Sequence, residues 1–445
     1  MNDTAIPTFD TPCGKITGWL DGKVIRATGI QYALAYRFQK PEPIKLSTIT
    51  NVADKWASAC PQIKVPFLEE VLGGSPLSRL NTDEHCQQLS VTLPKGTAAK
   101  DKLPVMVWIH GGSYTSGAGD ADVFDVKSLV EEQQVIAVNI TYRLGLFGFL
   151  GGYRNRPANL GLLDMVEALR WIKSNIGSFG GNSDNITLFG QSAGADAIAN
   201  LMIAKDVDGL FHRAIVQSAP FGIGRKRGKM TEAMKLQAAE IPDGITMGEI
   251  LEYQPKVSSA ASKFGLKGAM PFGLQYGHDP LPKETDIDEA WSKVASKYDL
   301  LIGYTKKEAS IYIPNLKPVQ KLVKLPLLGR YFQSMIVRLL SYKVYKKASR
   351  GFAKRHAKAG GKAHLYEIVW GSKTNGFGAT HTIDLPLLFG GKATWEKSLL
   401  TKGIEWEELE MQGKKLRGIW AEFARSGNLP TEDDTLRDLV KISSV

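Results

Sequence analysis

At 445 residues, 43% of them hydrophobic and 23% charged, the chain can bury a large core, which excludes disorder as its main state. Its formal net charge of +11 is concentrated: residues 317–362 hold thirteen Lys and Arg and no Asp or Glu, leaving about −2 for the rest. No nucleic-acid reading motif accompanies that segment, no apolar run is long enough to span a bilayer, and the cysteines are only Cys13, Cys60 and Cys86, so a nucleic-acid partner, a membrane-spanning chain, a disulfide scaffold and a structural metal site are not expected.

Taken in chain order, residues 104–110 (PVMVWIH) form an apolar run rich in β-branched and aromatic types, and 133–143 (QQVIAVNITYR) form another; both predict buried strands. Residues 160–176 place Leu163, Val166, Leu169 and Ile172 at helical spacing, and the strand 186–190 (ITLFG) follows. From about 222 to 295 Gly and Pro interrupt the pattern, and this stretch reads as peripheral. A strand at 299–304 (DLLIGY) restores the core pattern, the basic segment follows, and 364–370 (HLYEIVW) is the next strand. Within the basic segment, 330–347 predicts a helix with Phe332, Met335, Ile336, Leu339 and Leu340 on one face. Lys343, Lys346 and Lys347 continue that face at its end. Strands alternating with helices predict an α/β fold, a mostly parallel central sheet with helices on both faces and its site at the carboxyl ends of strands.

The run Gly190-Gln191-Ser192-Ala193-Gly194 lies between a strand and a good helix former, ADAIANLMIA. That context predicts a nucleophile elbow, in which glycines leave room for a sharp turn and the helix amino terminus adds partial positive charge where an oxyanion forms. A GxSxG alone arises easily by chance, and the flanking elements give it its weight.

With these landmarks on the page, the chain resembles the type B carboxylesterase family of the α/β-hydrolase fold. The resemblance rests on GIQYA (29–33), ACPQ (59–62), VWIHGG (107–112), YRLGLFGFL (142–150), the long block at 159–195, LFHRAIVQSA (210–219) and IWAEFARSGNLP (419–430). It implies one domain over 1–445, with a basic helical insertion at about 310–360 forming part of a lid. The family acid lies five residues beyond a glycine that closes a strand, which Gly303 and Glu308 reproduce, and THTIDLPLLFG matches the histidine region at His381. Ser192, Glu308 and His381 also obey the serine, acid, histidine order of this fold. Asp384, three residues after the histidine, is the competing acid.

The resemblance further implies an oxyanion hole from the backbone N–H groups of Gly112, Ser113 and Ala193, and a serine carboxylesterase acting through an acyl-enzyme on a small-molecule ester. No cofactor is needed, because water resolves the acyl-enzyme. Amides, carbamates and thioesters undergo the same acyl-transfer steps and stay open as substrates, as does a non-catalytic binding protein, although such relatives usually lack the serine or histidine. Cys60 and Cys86 match a pair that is disulfide-bonded in many relatives; a cytoplasmic location, expected because no leader is seen, would leave two buried thiols. No Trp lies between them, which disfavours a choline ester. Gln191 stands where the family has Glu, and Met165 where it has Gln. The basic helix carries two readings, a core-packed helix with a solvated end or an interface helix in weak contact with anionic membranes. The sequence leaves the oligomeric state open.

Overall fold

Side chains that alternate between two cores determine the architecture. In the computed structural model, which describes residues 6–44, 50–326, 328–429 and 436–445, ten strands form one sheet. They are β1 (Trp19–Asp21), β2 (Val24–Gln31), β3 (Gln88–Pro94), β4 (Leu103–Ile109), β5 (Ile136–Ile140), β6 (Gly181–Gln191), β7 (Arg213–Gln217), β8 (Asp299–Thr305), β9 (Ala363–Ile368) and β10 (Val440–Ser444). Their order across the sheet is β10-β9-β8-β7-β6-β4-β5-β3-β2-β1. The six strands from β4 to β9 pair in parallel, and the edge strands β1, β2, β3 and β10 pair antiparallel.

On β4, Val105, Val107 and Ile109 enter one hydrophobic cluster while Met106 and Trp108 enter the other; on β8, Leu300 and Ile302 oppose Leu301 in the same way. A strand buried on both faces reads as a continuous apolar run, which is why these segments are legible in the sequence. On the first face lie α1 (Leu160–Asn175) and α2 (Ala193–Leu201). The basic segment supplies α3 (Gly329–Ser341) and α4 (Lys347–Lys358), and α5 (Asp384–Leu388) and α6 (Trp406–Ser426) cover the second face. This is the α/β-hydrolase fold, a large mixed sheet with helices on both faces.

On α1 the helix forms as its spacing predicts, with Leu162, Met165, Val166, Leu169 and Ile172 buried and Leu163 half-buried. Two expectations change. The stretch 222–295 is not peripheral: it forms helices at Gly228–Ala238, Met247–Ser259 and Ile287–Val294. Arg227 there donates to the carbonyls of Met270 and Phe272, and Gln275 exchanges hydrogen bonds with Gly151 and Asn159 at the start of α1. The core-packed reading of the basic segment does not hold for its whole apolar face either: Phe332, Ile336 and Leu340 are only partly buried. Val337, Ser341, Val344 and Tyr345 are buried, whereas Met335 and Leu339 are nearly half exposed. A π-turn at Tyr342–Lys346 inserts an extra residue into the helical phase. Lys346 thereby leaves the lysine row and pairs inward with Glu367 at 2.6 Å.

Two sequence landmarks meet as a buried ion pair. Arg143 donates to Asp164 through Nε at 2.8 Å and Nη2 at 2.6 Å, and its Nη1 reaches the Gln39 carbonyl. Removing one partner of such a pair typically costs about 3–5 kcal/mol, so this pair fixes the loop after β5 rather than doing chemistry.

Candidate active site

The loops after β4, β6, β8 and β9 converge at the carboxyl end of the sheet. Ser192 sits between β6 and α2 at φ 57°, ψ −122°, a conformation that costs energy for a non-glycine residue and persists because its surroundings enforce it. Its N–H donates to the Gln217 carbonyl at 2.8 Å, and its carbonyl accepts from Asp196 N–H at 3.0 Å. The glycines on either side have a steric reason: a Cβ on Gly190 would come within 2.5 Å of the Ile109 carbonyl oxygen, and one on Gly194 within 2.0 Å. The elbow is therefore pressed directly onto the end of β4.

The chain leaving β4 wraps the serine. A Cβ on Gly111 would lie 3.2 Å from the Ser192 Cβ. Gly112, Ser113 and Tyr114 all have positive φ, at 107°, 56° and 61°, which turns the backbone so that Thr115 and Ser116 donate back to the Gly112 carbonyl. Among the described residues, the N–H groups of Gly112, Ser113 and Ala193 donate to no protein acceptor. His110 packs behind this loop: its ring stacks on Tyr142 at 4.3 Å, Nδ1 lies 2.8 Å from the Gly111 carbonyl, and burial lowers its pKa to about 4.

Glu308 is fully buried beyond β8. Its Oε1 accepts from the Ser218 hydroxyl at 2.6 Å and from Thr305 N–H at 2.7 Å, and Oε2 lies 2.5 Å from His381 Nδ1. With one oxygen held by two donors, the carboxylate has a fixed face to offer the imidazole. The His381 loop is tied to the same place, since Lys307 N–H donates to the Ala379 carbonyl and Ser310 Oγ to Thr380 Oγ1. A carboxylate accepts only, so Nδ1 carries the proton and Nε2 is left as an acceptor. Gln191 Nε2 lies 3.1 Å from that nitrogen; among the described residues, Ser192 Oγ makes no hydrogen bond to it. Tyr345 and Tyr312 flank the ring at centroid distances of 5.1 and 5.7 Å and shield it from water.

Asp384, the competing acid, points elsewhere. Its Oδ2 accepts from Gln217 Nε2 at 2.6 Å, Gln217 Oε1 accepts from Trp420 Nε1, and Oδ1 has no partner among the described residues. Burial, only partly offset by Gln217 and His381, raises its pKa to about 6. Gln217, Ser218, Tyr312 and Tyr345 escape the sequence reading of the site. The first two lie in the QSA run at 217–219, while nothing local marks the tyrosines.

A cleft of about 360 Å³ opens onto Gly111, Gly112, Gln191 and Thr382. Its far wall is the segment between Cys60 and Cys86, which contributes Val65, Leu68, Leu72, Leu77 and Leu80. Cys60 and Cys86, left open in the sequence between a disulfide and two buried thiols, are both free and buried. Cys60 Sγ instead accepts from Leu144 N–H at 3.2 Å, and burial and the neighbouring Cys60 push the Cys86 thiol up. The loop is closed by backbone pairing of Ala59 with Asn81 and Asp83 rather than covalently. Among the described residues no group of His, Cys, Asp and Glu is arranged to hold a metal, and no helix is long and apolar enough to cross a membrane.

The chain is similar to known proteins along nearly its whole length. The carboxylesterase family matches residues 5–326. A protein of Rhodococcus erythropolis named a probable N-octanoylanthranilate hydrolase is 33% identical over 429 residues, 95% of this chain and 93% of its own. The para-nitrobenzyl esterase of Bacillus subtilis (strain 168) is 30% identical over 455 residues, 95% of this chain and 90% of its own. Among solved structures, a thermophilic para-nitrobenzyl esterase superposes with a TM-score of 0.80 at 25% identity, covering 99% of this chain and 98% of that one.

Proposed function

The chain belongs to the carboxylesterase family and is a carboxylic-ester hydrolase, and on that premise we propose that Ser192 is its nucleophile, His381 its general base and Glu308 the acid that orients the base. The contact of 2.5 Å between Glu308 Oε2 and His381 Nδ1 carries this reading, because it fixes the tautomer whose Nε2 can accept a proton.

Ser192 Oγ attacks the ester carbonyl as His381 Nε2 takes its proton. A serine hydroxyl is too weak a nucleophile at neutral pH without this step. The negative charge that builds on the carbonyl oxygen meets the N–H groups of Gly112, Ser113 and Ala193, whose lack of internal partners leaves them free to donate. Losing one such donor costs on the order of 3 kcal/mol of transition-state stabilisation. The imidazolium, stabilised by Glu308, protonates the leaving alcohol; water activated by the same base then releases the acid. For Nε2 to receive the serine proton, the Gln191 amide now beside it has to turn aside.

The cleft wall speaks for the substrate class. Aliphatic side chains, Ile63, Val65, Leu68, Leu72, Leu77 and Leu80 among them, line it beside Lys64 and Glu69, and no Trp lies between Cys60 and Cys86, so it suits an apolar acyl or aryl group. A second reading, hydrolysis of an N-acyl amide, is favoured by the similarity to a protein named for N-octanoylanthranilate. Assaying para-nitrophenyl esters from acetate to decanoate beside matched anilides distinguishes the two: kcat/KM rising with chain length and larger for esters supports the first, and anilides exceeding esters supports the second.

A further inference from the structure

Hydrophobic side chains on the basic segment point the wrong way for a protein surrounded by water. Among the described residues, seven of the nineteen exposed large apolar side chains fall within residues 322–342. On α3 and its ends, Leu328, Tyr331, Met335, Leu339 and Tyr342 recur at steps of three and four, which puts them on one helical face. They are 55, 67, 47, 48 and 47% exposed. The opposite face is anchored: Ser341 Oγ accepts from Ala309 N–H at 3.0 Å beside Glu308, and Tyr345 packs on His381. The exposed stripe is therefore held outward by a wall whose inner side forms the site.

Cations border the stripe. Arg338 and Lys343 flank it on α3 and the π-turn, with Lys321, Lys324 and Lys347 nearby, all exposed and none in an ion pair among the described residues. No Asp or Glu occurs from 317 to 362. An outward apolar stripe of this kind, rimmed by basic residues, is the composition of a helix that lies in the plane of a lipid interface. A second copy is a poor occupant, because a symmetric contact would bring these cations against themselves with no carboxylate to offset them. A polyanion without hydrocarbon would leave the stripe in water.

We infer that the outward face of α3 docks on an anionic lipid surface, with Leu328, Tyr331, Met335 and Leu339 entering the boundary of the acyl region and Arg338, Lys343 and Lys347 meeting headgroups. This binding stands apart from the triad assignment, since it is read out without catalysis.

Co-sedimentation of the full chain with phosphatidylglycerol–phosphatidylcholine vesicles, against phosphatidylcholine alone, tests it at low and physiological salt. Binding is expected only with the anionic lipid and weakens as salt rises. The triple variant Arg338→Gln, Lys343→Gln, Lys347→Gln and the double variant Met335→Gln, Leu339→Gln should each lower the partition coefficient at least about tenfold. Both should keep the wild-type melting temperature within a few degrees and hydrolyse a soluble acetate ester normally. No sedimentation at low salt, equal sedimentation with phosphatidylcholine, or a partition coefficient unmoved by either variant overturns the inference. So does a dimer that the double variant abolishes while lipid binding stays undetectable.

Discussion

Glu308 and His381 meet at 2.5 Å although 73 residues separate them in the chain. The contact forms because two parallel neighbours, β8 and β9, end side by side and the loops beyond them are cross-linked by the Lys307–Ala379 and Ser310–Thr380 hydrogen bonds. Glu308→Gln keeps the shape but lets the amide donate toward Nδ1, which favours the wrong tautomer. Its kcat should fall by about 10³–10⁴, while Asp384→Asn, whose carboxyl faces Gln217, should lose less than about tenfold. Steady-state kinetics on one aryl ester checks this, and equal losses in the two variants contradict it.

Gln191 sets the electrostatics on the other side of the imidazole. Its amide lies 3.1 Å from His381 Nε2 and carries no charge. Gln191→Glu puts an anion there and favours the imidazolium, so the acid limb of the kcat/KM profile should move up by about one pH unit. An unmoved limb would mean that residue 191 does not face the working base.

Asp384 links stability to pH. Its carboxyl is raised to about 6 by burial, above the unfolded value of about 3.9. The native state therefore holds a proton that the unfolded chain has lost between those values, and stability falls as pH rises through the window. The charge strain that results is on the order of 3 kcal/mol above pH 6. Asp384→Asn cannot ionise, so its denaturation midpoint relative to wild type should improve between pH 4 and pH 8. A constant difference across that range contradicts the account.

Leu68 and Leu77 line the cleft, half-buried and packed against the rim of the second core, so the melting temperature of a double variant is measured beside its kinetics. Replacing both with Asn should lower kcat/KM for an octanoate ester about tenfold and for an acetate ester less than about threefold, in keeping with 1–3 kcal/mol per altered apolar contact. A loss shared equally by both esters would place the acyl chain elsewhere.

How much of this was legible depends on whether the signal was local. The strands β4, β5, β6, β8 and β9 are readable because both faces are apolar, and Ser192 because its turn has a strand before it and a helix after it. The antiparallel edges β1, β2, β3 and β10 carry no such runs. The orientation of α3 stays open in the sequence for a physical reason: hydrophobic periodicity identifies a stripe but not which side of the helix has a partner. Here Ser341 turns inward because its hydroxyl satisfies Ala309 N–H, and the π-turn then carries Tyr345 onto His381. Whether Cys60 and Cys86 are bonded stays open in the sequence; the two thiols are free here, and Cys60 Sγ is held by the Leu144 N–H, a contact that spacing does not reveal.

In the proposed mechanism one hydroxyl, Ser192 Oγ, carries the chemistry. Ser192→Ala removes it without adding bulk to a crowded elbow, so the protein should melt as wild type does. Hydrolysis of a para-nitrophenyl ester should fall by about 10³-fold or more, with the residue left to binding and the oxyanion donors. A fluorophosphonate should label wild type at Ser192, identified by peptide mass, and leave Ser192→Ala unmodified. Loss of both turnover and labelling in a folded variant is the predicted result; activity within tenfold of wild type, or a label on another residue, would contradict the account.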